Sequence, residues 1–277
     1  MDVNTSKLPS NVIELFIKGK DGITTVCGDS ILAAESFIAV IDGATPKGTR
    51  LWDGKKGDVF VSSYIKNVLL SLNPSVSAIE AITIINDNIK EEYIKNGTSY
   101  SELLPEERLQ ASVVIYSAHH REIWSFGDCQ FKVNDKIYSE VRRADKLLAD
   151  MRAMYIETAR LDGVKHEGDI GREAIMPLLK ECIKLANAGG EFGYDAINGG
   201  PINPENIKTV SVNEGDFIVL ASDGYPKLFD TLKETESYLF SALEKDPDCI
   251  GILRSTKGLK KGNESFDDRS YISFKVK

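Results

Sequence analysis

The sequence is short of paired cysteines, of basic charge and of long apolar runs. Its four cysteines, Cys27, Cys129, Cys182 and Cys249, are widely scattered and form no CxxC pair. That argues against a zinc site or a redox dithiol and suits a reducing compartment. Lys and Arg number 34 against 42 Asp and Glu, a net charge of −8. Nucleic acid is therefore not the expected partner, because a phosphate backbone calls for a dense Lys/Arg surface, whereas an acidic cleft would attract metal cations. No apolar run is long enough to span a membrane. The opening stretch, MDVNTSKLPS, has neither the basic nor the apolar part of a signal peptide. The expectation is a cytoplasmic protein with no membrane and no nucleic-acid partner. At 277 residues and 42% hydrophobic, the chain has material for one large core or two small ones.

The pattern of apolar residues changes period along the chain. Residues 12–17 alternate as a strand does, and 23–27 and 37–41 read as the next two strands. Helical spacing follows over 57–72 and 75–96, closed by Asn73-Pro74 and Gly97 respectively. Residues 111–139 read as three short strands, the first two joined by a polar turn at His119-His120. Two amphipathic helices are predicted near 140–160 and 171–188. Their apolar stripes (Val141, Ala144, Leu148, Met151 and Tyr155; Ile175, Leu178, Leu179, Cys182 and Ala186) would pack on the outer face of a sheet. A loop rich in Gly, Asn and Pro spans 189–206. Strands return at 207–212 and 216–221, then a helix near 232–245 and a last strand at 270–276. Strands at both ends and in the middle predict one domain over 1–277, with a helical and loop insertion at about 140–205.

Acidic residues recur at the predicted strand ends. Asp29 follows the strand-like run TTVCG. Asp42-Gly43 closes FIAVI. Gly127-Asp128 follows EIWSF, Ser222-Asp223-Gly224 follows FIVLA, and Asp267-Asp268 precedes the final strand. A sheet can hold such a carboxylate rigidly while its head reaches a cleft. Several together repel at short range unless cations lie between them. Oxygen donors of this kind suit Mg²⁺ and Mn²⁺.

In order and wording these five motifs resemble the type 2C metal-dependent protein phosphatases, the PPM family, as a divergent bacterial-like member. The resemblance covers most of the chain except about 140–205. It implies an α+β fold, a four-layer α-β-β-α sandwich with two central antiparallel β-sheets. It also implies two divalent ions, Mn²⁺ or Mg²⁺, with a weaker third. Asp42 would bridge the two ions, the Gly43 carbonyl would bind one, and Asp223 and Asp267 would hold the other. Asp29 would sit just behind, and Asp128 would lie near the third site. The activity implied is hydrolysis of a phosphomonoester, most simply phosphoserine or phosphothreonine in a protein substrate, by a water bridging the ions. Asp42, Asp223 and Asp267 are the catalytic candidates.

The sequence departs from the family's pattern in three places. Ala44, Thr45 and Pro46 stand where a His and two glycines often follow the Asp-Gly. Gly28 replaces the acidic residue that commonly precedes Asp29, and Thr24 and Thr25 stand where a phosphate-binding Arg is expected. Lys18, Lys20, Lys47 and Arg50 are the basic residues nearby. A catalytically weak or inactive scaffold that binds a partner or a phosphorylated ligand is therefore the alternative reading. Two other phosphate chemistries are set aside. An aspartyl-phosphate mechanism lacks its nucleophile, because Val40 stands two residues before Asp42. GATPKGT at 43–49 has Gly48 at the essential Lys position of a P-loop. His119, His120 and His166 are expected to be plain surface residues, and Trp52 and Trp124 packing residues.

Overall fold

The computed structural model describes residues 8–163 and 168–277, so the reading of His166 lies outside the described residues. Ten strands form two antiparallel sheets of five. The first sheet runs in the order β1 (Val12–Lys18), β10 (Arg269–Lys275), β9 (Phe217–Ala221), β6 (Gln130–Val133), β7 (Lys136–Tyr138). The second runs β2 (Asp29–Ala33), β3 (Phe37–Gly43), β4 (Ala111–Ser117), β5 (Glu122–Phe126), β8 (Lys208–Ser211).

Alternation along the strands assigns their faces. In β3, Ile38 and Val40 join Val114, Ile218, Leu220, Ile272 and Phe274 in the layer between the sheets. Ala39 and Ile41 point the other way, onto α1 (Gly57–Ser71) and α2 (Ala78–Lys95). α1 buries Val61, Ile65, Val68 and Leu69, spaced along one helical face. α2 buries Ile82, Ile85, Ile89 and Tyr93 and starts at a capping box: Ser77 Oγ accepts from Glu80 N, and Glu80 Oε2 accepts from Ser77 N at 2.8 Å. On the far side, Val219, Ala221 and Tyr271 pack on Leu239, Ala242 and Leu243 of α5 (Leu232–Lys245). The result is the four-layer α-β-β-α arrangement expected from the sequence.

Three local readings need correction. Residues 23–27 are not a strand: Thr24–Val26 make one turn of 3-10 helix, and β2 begins at Asp29, so Asp29 opens a strand instead of following one. The segment 111–139 holds four strands, because the run after His120 breaks at Gly127–Cys129, where Gly127 takes a φ of 100°, and passes from β5 in one sheet to β6 in the other. The stripes on α3 (Arg143–Leu161) and α4 (Ile170–Cys182) do not lie on a sheet. Leu148, Ile175 and Leu179 pack on one another, and Ala153 and Ile156 pack on Ile250. Val141, Met151 and Tyr155 remain exposed. Trp52 and Trp124 are core residues, and no described helix is long and apolar enough to cross a membrane.

Candidate functional site

The layer between the sheets ends in polar groups. Two residues beyond Val40, the alternation of β3 brings Asp42 to the same inner face; β2 does likewise with Ile31 and Asp29. The register sets Asp29 directly opposite Asp42. The facing strands end in hydroxyls: Ser270 Oγ donates to Asp29 Oδ2 at 2.7 Å, and Ser222 Oγ accepts from Ser270 N at 3.1 Å. Two unit charges about 5 Å apart repel by roughly 3 kcal/mol at an effective dielectric near 20. Fully burying one Ile or Val stabilises by roughly 1.5–3 kcal/mol. The apolar run of β3 thus offsets the cost of its last residue.

Burial is the first cause that raises Asp29 to about 8; Asp268 adds to it, and hydrogen bonds from Ser222 and Ser270 pull it back. Asp42 is lifted well above the ordinary carboxylate value by burial, then by the charges of Asp29, Asp128 and Asp267. Asp223 is raised by the protein packed round it and by Asp42, Asp128 and Asp267. Because Asp223 opens onto solvent, the like charges are the firmer of its causes.

Close backbone approaches position these groups. A Cβ on Gly43 would stand 2.3 Å from the Asp58 carbonyl oxygen, so glycine lets the end of β3 pass against the start of α1. A Cβ on Gly224 would stand 1.9 Å from the carbonyl oxygen of Asp268, so glycine lets the Asp223 turn lie on the Asp267-Asp268 segment. The outcome is a cleft of about 630 Å³ lined by Asp42, Gly43, Asp128, Asp223 and Asp267. Asp29 is buried beneath it.

Several residues at the site carried no signal in the sequence. Arg142 binds Asp128 at 2.8 Å and lies 4.2 Å over the ring of Tyr194. Lys257 pairs with Asp267, and Lys20 stands 3.8 Å from it. Burial works against the ionised form of Asp267, but Lys257 and Lys20 outweigh it and hold the carboxyl below its ordinary value. Asp268 turns away from the cleft, accepting from Lys20 N at 2.8 Å, Lys20 Nζ at 3.1 Å and Gly28 N at 3.1 Å. Of the other basic candidates, Lys18 pairs with Glu264 and Arg50 stacks on Trp52, while Lys47 lines the cleft.

The donor chemistry fits a hard divalent cation at Asp42 and Asp223. Burial first, and then the neighbouring acids, raise both carboxyls, and a cation at the site removes that cost. Among the described residues, no group of three or more His, Cys, Asp or Glu is arranged to hold an ion. Asp267 and Asp128 are instead engaged by the chain's own cations.

The loop at 188–204 reaches the cleft through Ala196 and through Tyr194, whose hydroxyl donates to Gln110 Oε1 at 3.4 Å. Its second half is tied down. Ile197 bridges to Ala111, and Asn198 lies in a buried network with Asn86 and Tyr93. Its tip is open, with Phe192 exposed beneath Arg143 and Glu191 paired to Arg143 at 2.6 Å. If the cleft hydrolyses phosphomonoesters, as the resemblance implies, deleting residues 189–192 is expected to cut turnover of a phosphopeptide several-fold and to change turnover of a small aryl phosphate less than about twofold. Equal loss on both substrates would mean that the tip supports the site itself.

The sequence matches no family model. No curated protein matches it either. Among solved structures, the chain is similar to the serine/threonine phosphatase PstP/Ppp of Mycobacterium tuberculosis, at 12% identity over 96% of this chain and 100% of that one, TM-score 0.47. It is similar to the PPM Ser-Thr phosphatase MsPP of Mycobacterium smegmatis in complex with cacodylate, at 14% identity over 97% and 100%, TM-score 0.45. It is also similar to RsbX in complex with magnesium, at 13% identity over 96% and 98%, TM-score 0.45.

Proposed function

We infer that this chain is a divalent-metal-dependent phosphomonoester hydrolase acting on phosphoserine or phosphothreonine in proteins. The observation that carries the reading is the convergence of Asp42, Asp128, Asp223 and Asp267 on one cleft whose lining holds neither His nor Cys among the described residues. All-oxygen donors select Mn²⁺ or Mg²⁺ over softer metals. Asp42 and Asp223 would hold an ion, with Asp267 and the Gly43 carbonyl as further donors and Asp128 at a weaker position. Bound there, an ion supplies charge neutralisation at the phosphoryl oxygens and a lowered pKa for water.

The chain's own groups do the rest. Ser270 and Ser222 fix the Asp29 carboxyl behind Asp42. Asp268 locks Lys20 and the Gly28 amide in place, so the backbone behind Gly43 cannot drift. Ala44 stands where the family's proton donor to the leaving group would be, so the chain offers no donor at that position.

Hydrolysis of an aryl phosphate and of a phosphothreonine peptide is expected to require added Mn²⁺ or Mg²⁺ and to stop in EDTA. Turnover that survives thorough chelation would overturn the assignment. The alternative, a scaffold that binds a phosphorylated ligand with little turnover, is favoured by one observation: Lys257 and Lys20 already neutralise Asp267. Metal-independent binding of the phosphopeptide without hydrolysis at saturating Mn²⁺ would select it.

A further inference from the structure

We propose that Lys47, Arg172 and Lys257 form an anion site on the wall of the cleft, and that its ligand is the phosphoryl dianion of the substrate. This rests on the phosphatase reading. The three cations come from separate segments: the loop after β3, the first turn of α4, and the loop before β10. All three line the same cleft as Asp42 and Asp223.

Their convergence is built. Asp169 caps α4 by accepting from Arg172 N at 2.9 Å, and its other oxygen accepts from Gly258 N at 2.9 Å. This clamp sets Arg172 beside Lys257. Asp169 is itself taken by Arg152, at 2.9 Å from both Nε and Nη2, so little of its charge is left for Arg172. Arg172 Nη1 donates to the Thr256 carbonyl at 2.9 Å, and Lys47 Nζ to the Thr45 carbonyl at 2.5 Å. Neither has a carboxylate within ion-pair distance among the described residues.

Lys47 and Arg172 thus lack a counter-ion, while Lys257 is shared with Asp267. Burial first, then Arg172 and Lys257, bring Lys47 down to about 7, with Asp145 and Asp267 opposing. Arg172 is lowered by burial despite Asp267 and Asp169. A second, independent feature points the same way. Gln110 is more than nine-tenths buried and lines the cleft, and its Nε2 donor has no partner among the described residues. Its carbonyl accepts from Ala44 N at 2.9 Å, which places it next to the loop that carries Lys47. Two unpaired cations, a third beside them and a spare N–H donor suit a tetrahedral oxyanion carrying two charges. Asp42 and Asp223, on the same cleft, leave room for a cation on the other side of that anion.

The test separates this site from the metal chemistry. Inorganic phosphate is titrated into the full-length protein in EDTA, followed calorimetrically, for the parent, Arg172→Gln, Lys47→Met and Arg172→Lys. The parent is expected to bind. Arg172→Gln and Lys47→Met are each expected to weaken binding roughly 10- to 100-fold, the range for hydrogen bonds to a charged group. Arg172→Lys should recover part of the loss. Thermal melting identifies any variant that fails to fold, and the remaining one then decides. Binding unchanged within twofold in the folded variants, or no phosphate binding by the parent, overturns the site. If the parent hydrolyses a phosphothreonine peptide with Mn²⁺ while Arg172→Gln keeps the parental KM, the site falls and the phosphatase reading stands. If phosphate binds as expected but no phosphomonoester is hydrolysed, the reading falls and the site stands.

Discussion

With the proposed function, Asp42→Asn and Asp223→Asn are each expected to lower turnover of a phosphothreonine peptide by about 100-fold or more, while the metal-free protein is expected to become more stable. The two effects have one cause. Asp42 and Asp223 are ligand candidates because they crowd one another and their acidic neighbours. That crowding is a cost whenever no cation is present. Removing about 1 kcal/mol of repulsion raises the melting temperature of a chain this size by about 2–4 °C. The direction of the pH dependence follows. Asp29, Asp42 and Asp223 have raised values in the fold, so the native state binds more protons than the unfolded one above about pH 4. Metal-free stability therefore falls as pH rises toward about 8, the value of Asp29. Added Mn²⁺ should restore it at neutral pH in the parent and much less in Asp42→Asn. Parental rates in both variants would remove these residues from the site.

Gly224→Ala produces the largest loss of stability expected from a single methyl group. Its Cβ would meet the Asp268 carbonyl oxygen at 1.9 Å, and that partner is main chain, which cannot rotate aside. The Asp223 turn has to lift off the Asp267 segment. Relief by backbone shift costs about 1–3 kcal/mol or more, so melting should drop by at least 3–10 °C. Activity should fall further than stability, because the same movement carries Asp223 away from Asp42. A variant that melts and turns over like the parent would mean that the two segments are not in contact.

Sequence patterning conveyed the layers well, because alternation and helical spacing are local. FIAVI shows both faces of a buried strand, and α2 carries its stop and start signals within its own residues. The strand expected at 23–27 has β-branched residues in a stretch that its neighbours do not pair. Its Gly28 is pressed against Asp58, Asp268 and the Gly43 carbonyl, contacts that no local window contains. The acidic motifs marked the cleft floor because each sits beside a glycine or a strand end. The cations escaped notice for the opposite reason. Lys257 and Arg172 are ordinary charges in polar surroundings, and only an 89-residue reach from Asp169 to Gly258 brings their segments together. Lys20 was visible as a nearby charge, but its partner lies 248 residues away.

The Asp29–Asp42 pair lies at the open end of the β2–β3 hairpin, farthest from its turn at Ala34–Ser36. Pairs nearer the turn, Ala33 with Ile38 through Ile31 with Val40, are apolar, so the ladder's one acidic pair stands at the end that faces the cleft. There it is held between Gly43 N, which donates to the Gly28 carbonyl at 3.1 Å, and the neighbouring strand. A cation held by Asp42 would therefore tighten the open end of this hairpin as well as the cleft.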